Sequence, residues 1–191
     1  MAKSLVLSTN NPNFINDKDI LLAGEWVLEC AEKKFENLKF NIFYSSGPLK
    51  KQRIKNSINS DKIYQSIIKD LSIQLNSLHS VNLNLRSWRI LLGHWLRRFI
   101  DLCYQKDYLL NEIFNTHKIS KIYGIKNENY KAYSNDTYAI HPNSRDNLWN
   151  NNLFFKIINF YGYRVETNFI HNSNNEDLVK EYEKLVKYKI H

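Results

Sequence analysis

A chain of 191 residues and 22.8 kDa is long enough for one ordinary globular domain with a substantial core, and too short for a large two-domain enzyme. Its 43% hydrophobic and 24% charged residues exclude disorder over the whole length, and five Gly and three Pro exclude collagen-like and flexible-linker architectures. The formal net charge is +8, from 27 Lys+Arg against 19 Asp+Glu. The chain is also rich in Asn and Ile, a bias that an AT-rich coding sequence produces unaided, so charge alone does not select a nucleic-acid partner.

Ser4 to Thr9 reads as a first buried strand, followed by the turn-rich Asn10-Asn11-Pro12-Asn13. Its apolar centre, Leu5-Val6-Leu7, is too short for a signal-peptide core, and no window approaches the roughly 18 uninterrupted apolar residues of a membrane span. Cys30 and Cys103 lie in no CxxC or Cys/His cluster and read as free thiols of a reducing compartment, so the expected location is cytoplasmic. Asp19 to Gly24 is a second short apolar strand, ending at a glycine and leading into a helical pattern through Trp26, Val27, Cys30 and Ala31. Lys39 to Tyr44 is a third extended segment, closed by the loop Ser45-Ser46-Gly47-Pro48.

Ile63, Ile67, Leu71, Leu75 and Leu78 recur at spacings of three and four and predict an amphipathic core helix of about five turns. Asn82 and Asn84 fall in a break before the next helix, Arg86 to Tyr104. At about 100° per residue, Trp88, Leu91, Leu92, Trp95, Phe99 and Leu102 share one side, the expected core face. Arg86, Arg89, Gly93, Arg97 and Tyr104 share the other, with His94 and Arg98 toward a flank. A glycine inside a helix costs about 1 kcal/mol relative to alanine and often permits a close approach. The arginines around Gly93 form either an anion-holding face or a solvated basic one.

The helical pattern continues from Tyr108 to Phe114, and Ser120 to Gly124 reads as a strand. Lys126 to Thr137 is a polar loop, Tyr138-Ala139-Ile140 a brief strand and His141 to Ser144 a turn. Asp146 or Asn147 caps a helix that carries Leu148, Trp149, Leu153, Phe154, Ile157 and Ile158 and ends at Gly162. Tyr163 to Ile170 is a strand, and Glu176 to Ile190 a last helix. The pattern is that of an α/β protein: a Rossmann-like layered domain with a short, mostly parallel sheet and long amphipathic helices, spanning 1–191 as one domain.

Glycine-rich phosphate loops, HExxH and GxSxG are absent from the sequence, as is zinc-ligand spacing, so no metal is expected. The six histidines are scattered. Glu25, at a strand end, is either a general base or sugar-hydroxyl acceptor, or a first-turn glutamate favoured by the helix dipole. Asp146 is either a cap or a ligand contact. Aromatic and basic residues alternate in Trp95 to Phe99, but the aromatics share an apolar face and are not available to stack on bases.

Three segments together resemble a transferase family of bacterial O-antigen and surface-polysaccharide gene regions. They are Ile20-Leu21-Leu22-Ala23-Gly24-Glu25-Trp26, then Leu75-Asn76-Ser77-Leu78-His79 with Arg86 to Leu96, then Asp146-Asn147-Leu148-Trp149-Asn150. In that family a strand leads into Gly-Glu-Trp, a Leu-Asn…His stretch leads into Arg-x-Trp-Arg-Ile-x-x-Gly-Pro-Trp-Leu, and Asp-x-x-Trp-Asn opens a helix. His94 stands here in place of the proline, and Gln105-Lys106 in place of an Asp-Arg pair. The resemblance covers positions 18 to 160 of a pattern that is several hundred residues longer in the family. It implies the N-terminal half of a two-domain glycosyltransferase-like protein, with residues 171–191 leading toward a second domain carried on another polypeptide or lost.

By that resemblance Arg86, Arg89, Gly93, Glu25, Asp146 and Asn150 are candidates for binding substrate or an anion, and Trp26, Trp88, Trp95 and Trp149 are structural. No catalytic residue is carried over. The implied ligand is a sugar nucleotide or acidic sugar, with no further cofactor. By analogy of fold this half holds the acceptor and the missing half the donor. Two other readings stay open: a non-enzymatic binding or scaffold module, as a decayed fragment, and a basic nucleic-acid-binding protein.

Overall fold

The apolar runs Leu5-Val6-Leu7 and Ile20-Leu21-Leu22 are buried on both faces, as strands of a parallel sheet must be when helices cover each side. The computed structural model describes residues 2–8, 15–29, 38–45, 47, 50–126 and 147–171. Five strands, β1 (Lys3–Val6), β2 (Ile20–Leu22), β3 (Phe40–Ile42), β4 (Ile119–Lys126) and β5 (Glu166–His171), form one sheet in the order β3-β2-β1-β4-β5. Every neighbouring pair is parallel. This is the α/β, Rossmann-like architecture expected.

Alternate residues of the strands feed two cores. Leu5, Leu7, Leu21, Ala23 and Ile122 face α3 (Leu85–Thr116) and α4 (Asn147–Tyr161) through Leu110, Ile113, Phe154 and Ile158. Val6, Ile20, Leu22 and Tyr123 face the other way, toward Ile15 and Val27, the latter in α1 (Trp26–Glu29). Helices on opposite faces follow from right-handed crossovers that run outward in both directions from the β1–β4 pair. The sheet therefore changes winding direction between β1 and β4.

The third core belongs to a helical hairpin. α2 (Lys50–His79) runs for 30 residues, about 45 Å, far longer than the five turns its apolar spacing predicts. Its first half, with Ile54 and Ile58 exposed, has no apolar stripe to announce it. Tyr64 and Ile68 meet Leu96 and Ile100 of α3, flanked by Ile67, Leu71, Leu92 and Trp95. The turn between the helices is held by Asn76, which donates to the Leu83 carbonyl (2.9 Å) and accepts from the Leu83 N–H (3.1 Å) and Trp88 Nε1 (2.9 Å). Asn84 then caps α3 by accepting from the Ser87 N–H at 3.0 Å. Asn76 and Trp88, two residues of the middle sequence motif, thus fix the hairpin turn.

Asn10 to Asn13, Cys30, the loop and strand expected over 126–144, Asp146 as a cap, and the C-terminal helix lie outside the described residues, except Lys126, which ends β4. No helix among the described residues is long and apolar enough to cross a membrane.

Candidate functional site

In an open parallel sheet, ligands bind beyond the carboxyl ends of the strands where the winding reverses, because two loops diverge there and leave a crevice. Here that place is the end of β1 beside β4. Val6 pairs with Tyr123, and the Leu7 N–H still donates to the Tyr123 carbonyl (2.9 Å). One ladder position further on, β1 no longer serves β4. The side chain of Asn151, on α4, takes its place: it accepts from the Ile125 N–H (3.0 Å) and donates to the Ile125 carbonyl (2.8 Å). Gly124 makes this approach possible, since a Cβ there would lie 2.6 Å from Asn151 Oδ1 and run into the Phe155 ring. Ser8, at this exit, is fully buried, and its hydroxyl has no hydrogen-bond partner among the described residues.

The Gly24-Glu25-Trp26 segment closes one side of the exit. The Trp26 ring folds back over Gly24, where any Cβ would collide with it. Its Nε1 donates to the Leu7 carbonyl (3.4 Å), and its ring stacks on Phe154 of α4 with centroids 5.8 Å apart. Glu25 is exposed at the end of β2 and faces Tyr44 at the end of β3. Partial desolvation and this carboxylate hold the Tyr44 hydroxyl above its ordinary value.

Over these rings lies a cation. The Lys106 ammonium sits 4.4 Å from the Trp26 ring centroid and 5.3 Å from that of Phe154. The lysine is largely withdrawn from solvent, and burial alone lowers its pKa to about 8. None of the ion pairs among the described residues involves it. The adjacent Asp107 is turned to the Tyr161 hydroxyl instead. Aromatic faces attract the charge but do not neutralise it. One helical turn before Lys106, the free thiol of Cys103 is pushed up to about 11 by burial. Further along, Trp95 stacks on Phe99 (5.5 Å), which meets Trp149 edge-on (6.5 Å).

The expected site residues are dispersed. The open side of Gly93 is filled by α2, with the Tyr64 hydroxyl 2.6 Å from where a Cβ would stand. Arg97 bonds Asp61 and lies over the Tyr64 ring at 4.3 Å, and Arg89 donates to Gln65 at 2.6 Å. The glycine-bearing face of α3 is therefore the α2 contact, whereas Leu91, expected in the core, is 61% exposed. Arg86 is exposed in the first turn of α3. Asn150 and Trp149 are buried in the first turn of α4, and Trp88 is buried in the hairpin. Glu25 and Trp26 border the sheet's carboxyl edge directly.

Lys106, Ser8 and Asn151 were not marked by sequence reasoning. Lys106 had a signal: it interrupts the apolar stripe Phe99, Cys103, Leu110 and Ile113, where a charge has to be justified. Ser8 and Asn151 become meaningful only once β1, β4 and α4 are placed side by side. Among the described residues no three His, Cys, Asp or Glu side chains come together as metal ligands.

A family model described as LIC12162 family transferase matches residues 3–190. The chain belongs to this transferase family. No curated protein and no solved structure matches it. The LIC12162 match extends to both sides of the switch point and takes in the hairpin, so the family pattern includes the whole described fold.

Proposed function

We propose that this LIC12162 family member is a glycosyltransferase-like domain of bacterial surface-polysaccharide assembly, working in the cytoplasm and taking a phosphate-bearing sugar compound at the carboxyl edge of its sheet. The observation that carries this reading is the exit of β1 beside β4. There the strand leaves, Asn151 seals the vacated ladder position, and Ser8 carries a buried hydroxyl with no partner among the described residues. A phosphate-bearing ligand suits such a place because its oxygens accept from hydroxyl, backbone and cationic donors at once. Transfer of a glycosyl group then requires that charge developing on the leaving phosphate be held by fixed donors rather than by water.

The experiment is turnover. The protein is incubated with a panel of sugar nucleotides, with and without a downstream-encoded partner, and released nucleotide is measured. Donor-dependent release of one nucleotide supports the reading. No release from any donor under either condition contradicts it and leaves a non-enzymatic binding module.

A further inference from the structure

We infer that Lys106 is the anion-holding residue of the chain, its ammonium receiving the phosphate or diphosphate group of a ligand that enters over Trp26 at the carboxyl edge of the sheet. This deepens the proposed function, and rests on it for the placing of the ligand.

Three observations converge on Lys106. Its amine is drawn off the surface onto two aromatic rings, Trp26 and Phe154, that come from opposite ends of the domain's sequence. No carboxylate of the described residues pairs with it, although Asp107 is its immediate neighbour. Trp26 itself is tied to the Leu7 carbonyl, one residue before the buried Ser8 hydroxyl. A purely structural lysine in this position would be a liability, since methionine fills the same space without a charge to desolvate. An anion arriving from solvent supplies the partner that no described carboxylate provides, and the low local dielectric strengthens the pair. Two arginines of α3, by contrast, are already engaged: Arg97 with Asp61 and Arg89 with Gln65.

A diphosphate can come from a nucleotide donor or from a phosphorylated acceptor. The two share the chemistry that Lys106 reads and differ in what is attached to it.

The test is calorimetric binding of inorganic pyrophosphate to the full chain, with a nucleoside diphosphate and a sugar 1-phosphate as further arms that tell donor from acceptor. Lys106→Met should weaken pyrophosphate binding at least tenfold while keeping the helical circular dichroism signal. Arg98→Gln removes the same charge from an exposed position on the same helix, and should leave binding within about twofold if the effect is local. Equal binding by wild type and Lys106→Met overturns the assignment, as does an equal loss in Arg98→Gln. If pyrophosphate binds through Lys106 but no sugar nucleotide is turned over, the anion site stands and the transferase reading falls. If turnover is unchanged in Lys106→Met, the reverse holds.

Discussion

The Asn151 amide pairs with both backbone groups of Ile125, at 3.0 and 2.8 Å, and so occupies the ladder position that β1 gives up when it leaves β4. A side chain completing a sheet at its switch point ties α4 to β4. Asn151→Ala leaves a buried N–H and a buried carbonyl without partners, for a loss of about 2–4 kcal/mol. Urea denaturation should show this as a lower midpoint with an unchanged slope. A loss below about 0.5 kcal/mol would mean that water or another group takes over the two bonds.

Gly93 and Tyr64 form a second pairing whose cost can be read directly. Alanine is a better helix former by about 1 kcal/mol, yet its Cβ would press on the Tyr64 hydroxyl. Tyr64 is itself buried under Arg97, which limits its retreat. Gly93→Ala should therefore destabilise by about 1–3 kcal/mol, and Tyr64→Phe in the same chain should recover most of that loss. Additive losses in the double variant would show that the glycine serves something other than this packing.

Asp17 gathers three strand residues near the start of the sheet. It accepts from the Tyr123 hydroxyl (2.7 Å) and the Ser4 hydroxyl (2.8 Å), with the Lys121 ammonium 3.7 Å away. The Tyr123 hydroxyl does most to hold its carboxyl below the usual 3.8, and in turn Tyr123 is pushed up to about 12, chiefly by its own desolvation. Because the folded pKa is depressed, the stability this group contributes is present above the unfolded value and is lost as pH falls through the folded one. Asp17→Asn should flatten the fall in unfolding free energy as pH drops below the ordinary 3.8. An unaltered acid limb would assign acid denaturation to other carboxylates.

Lys106 has the opposite sign. Its folded pKa of about 8 lies below the ordinary 10.5, so between these values the unfolded chain binds more protons and stability rises with pH. Below about 8 the full cost, on the order of 3 kcal/mol, is carried by the fold. Lys106→Met should consequently raise the melting temperature at neutral pH by several degrees and remove the rise in stability above pH 8. A lower melting temperature would mean that the ammonium is already satisfied without ligand.

Much of this fold was legible in the chain. Doubly buried strands advertise themselves as Leu-Val-Leu and Ile-Leu-Leu, and the break at Asn82 and Asn84 separates two helical stripes. The first half of α2 was not legible, because Lys50 to Asn59 places its isoleucines in solvent and carries no periodic core signal. The face of α3 was misread for a physical reason. Long arginines can lie along a helix contact with their heads bonded at its edge, so Arg89 and Arg97 flank packed Gly93 while Ile90 and Leu91 are left outside. Tryptophan periodicity outweighed a glycine that marked the closer contact. The candidate site was the least legible part, since Ser8, Trp26, Lys106 and Asn151 come from four separate elements and share no local spacing.

The Lys106 ammonium is a partly buried charge over two aromatic rings, poised to receive an anion. Selective carbon-13 labelling at the lysine ε-position, with the Lys106 signal assigned by its disappearance in Lys106→Met, gives its titration by NMR with and without pyrophosphate. A midpoint near 8 is expected in the unliganded protein, with a clear upward move when pyrophosphate is added. A midpoint near 10.5 that pyrophosphate leaves unmoved would contradict it.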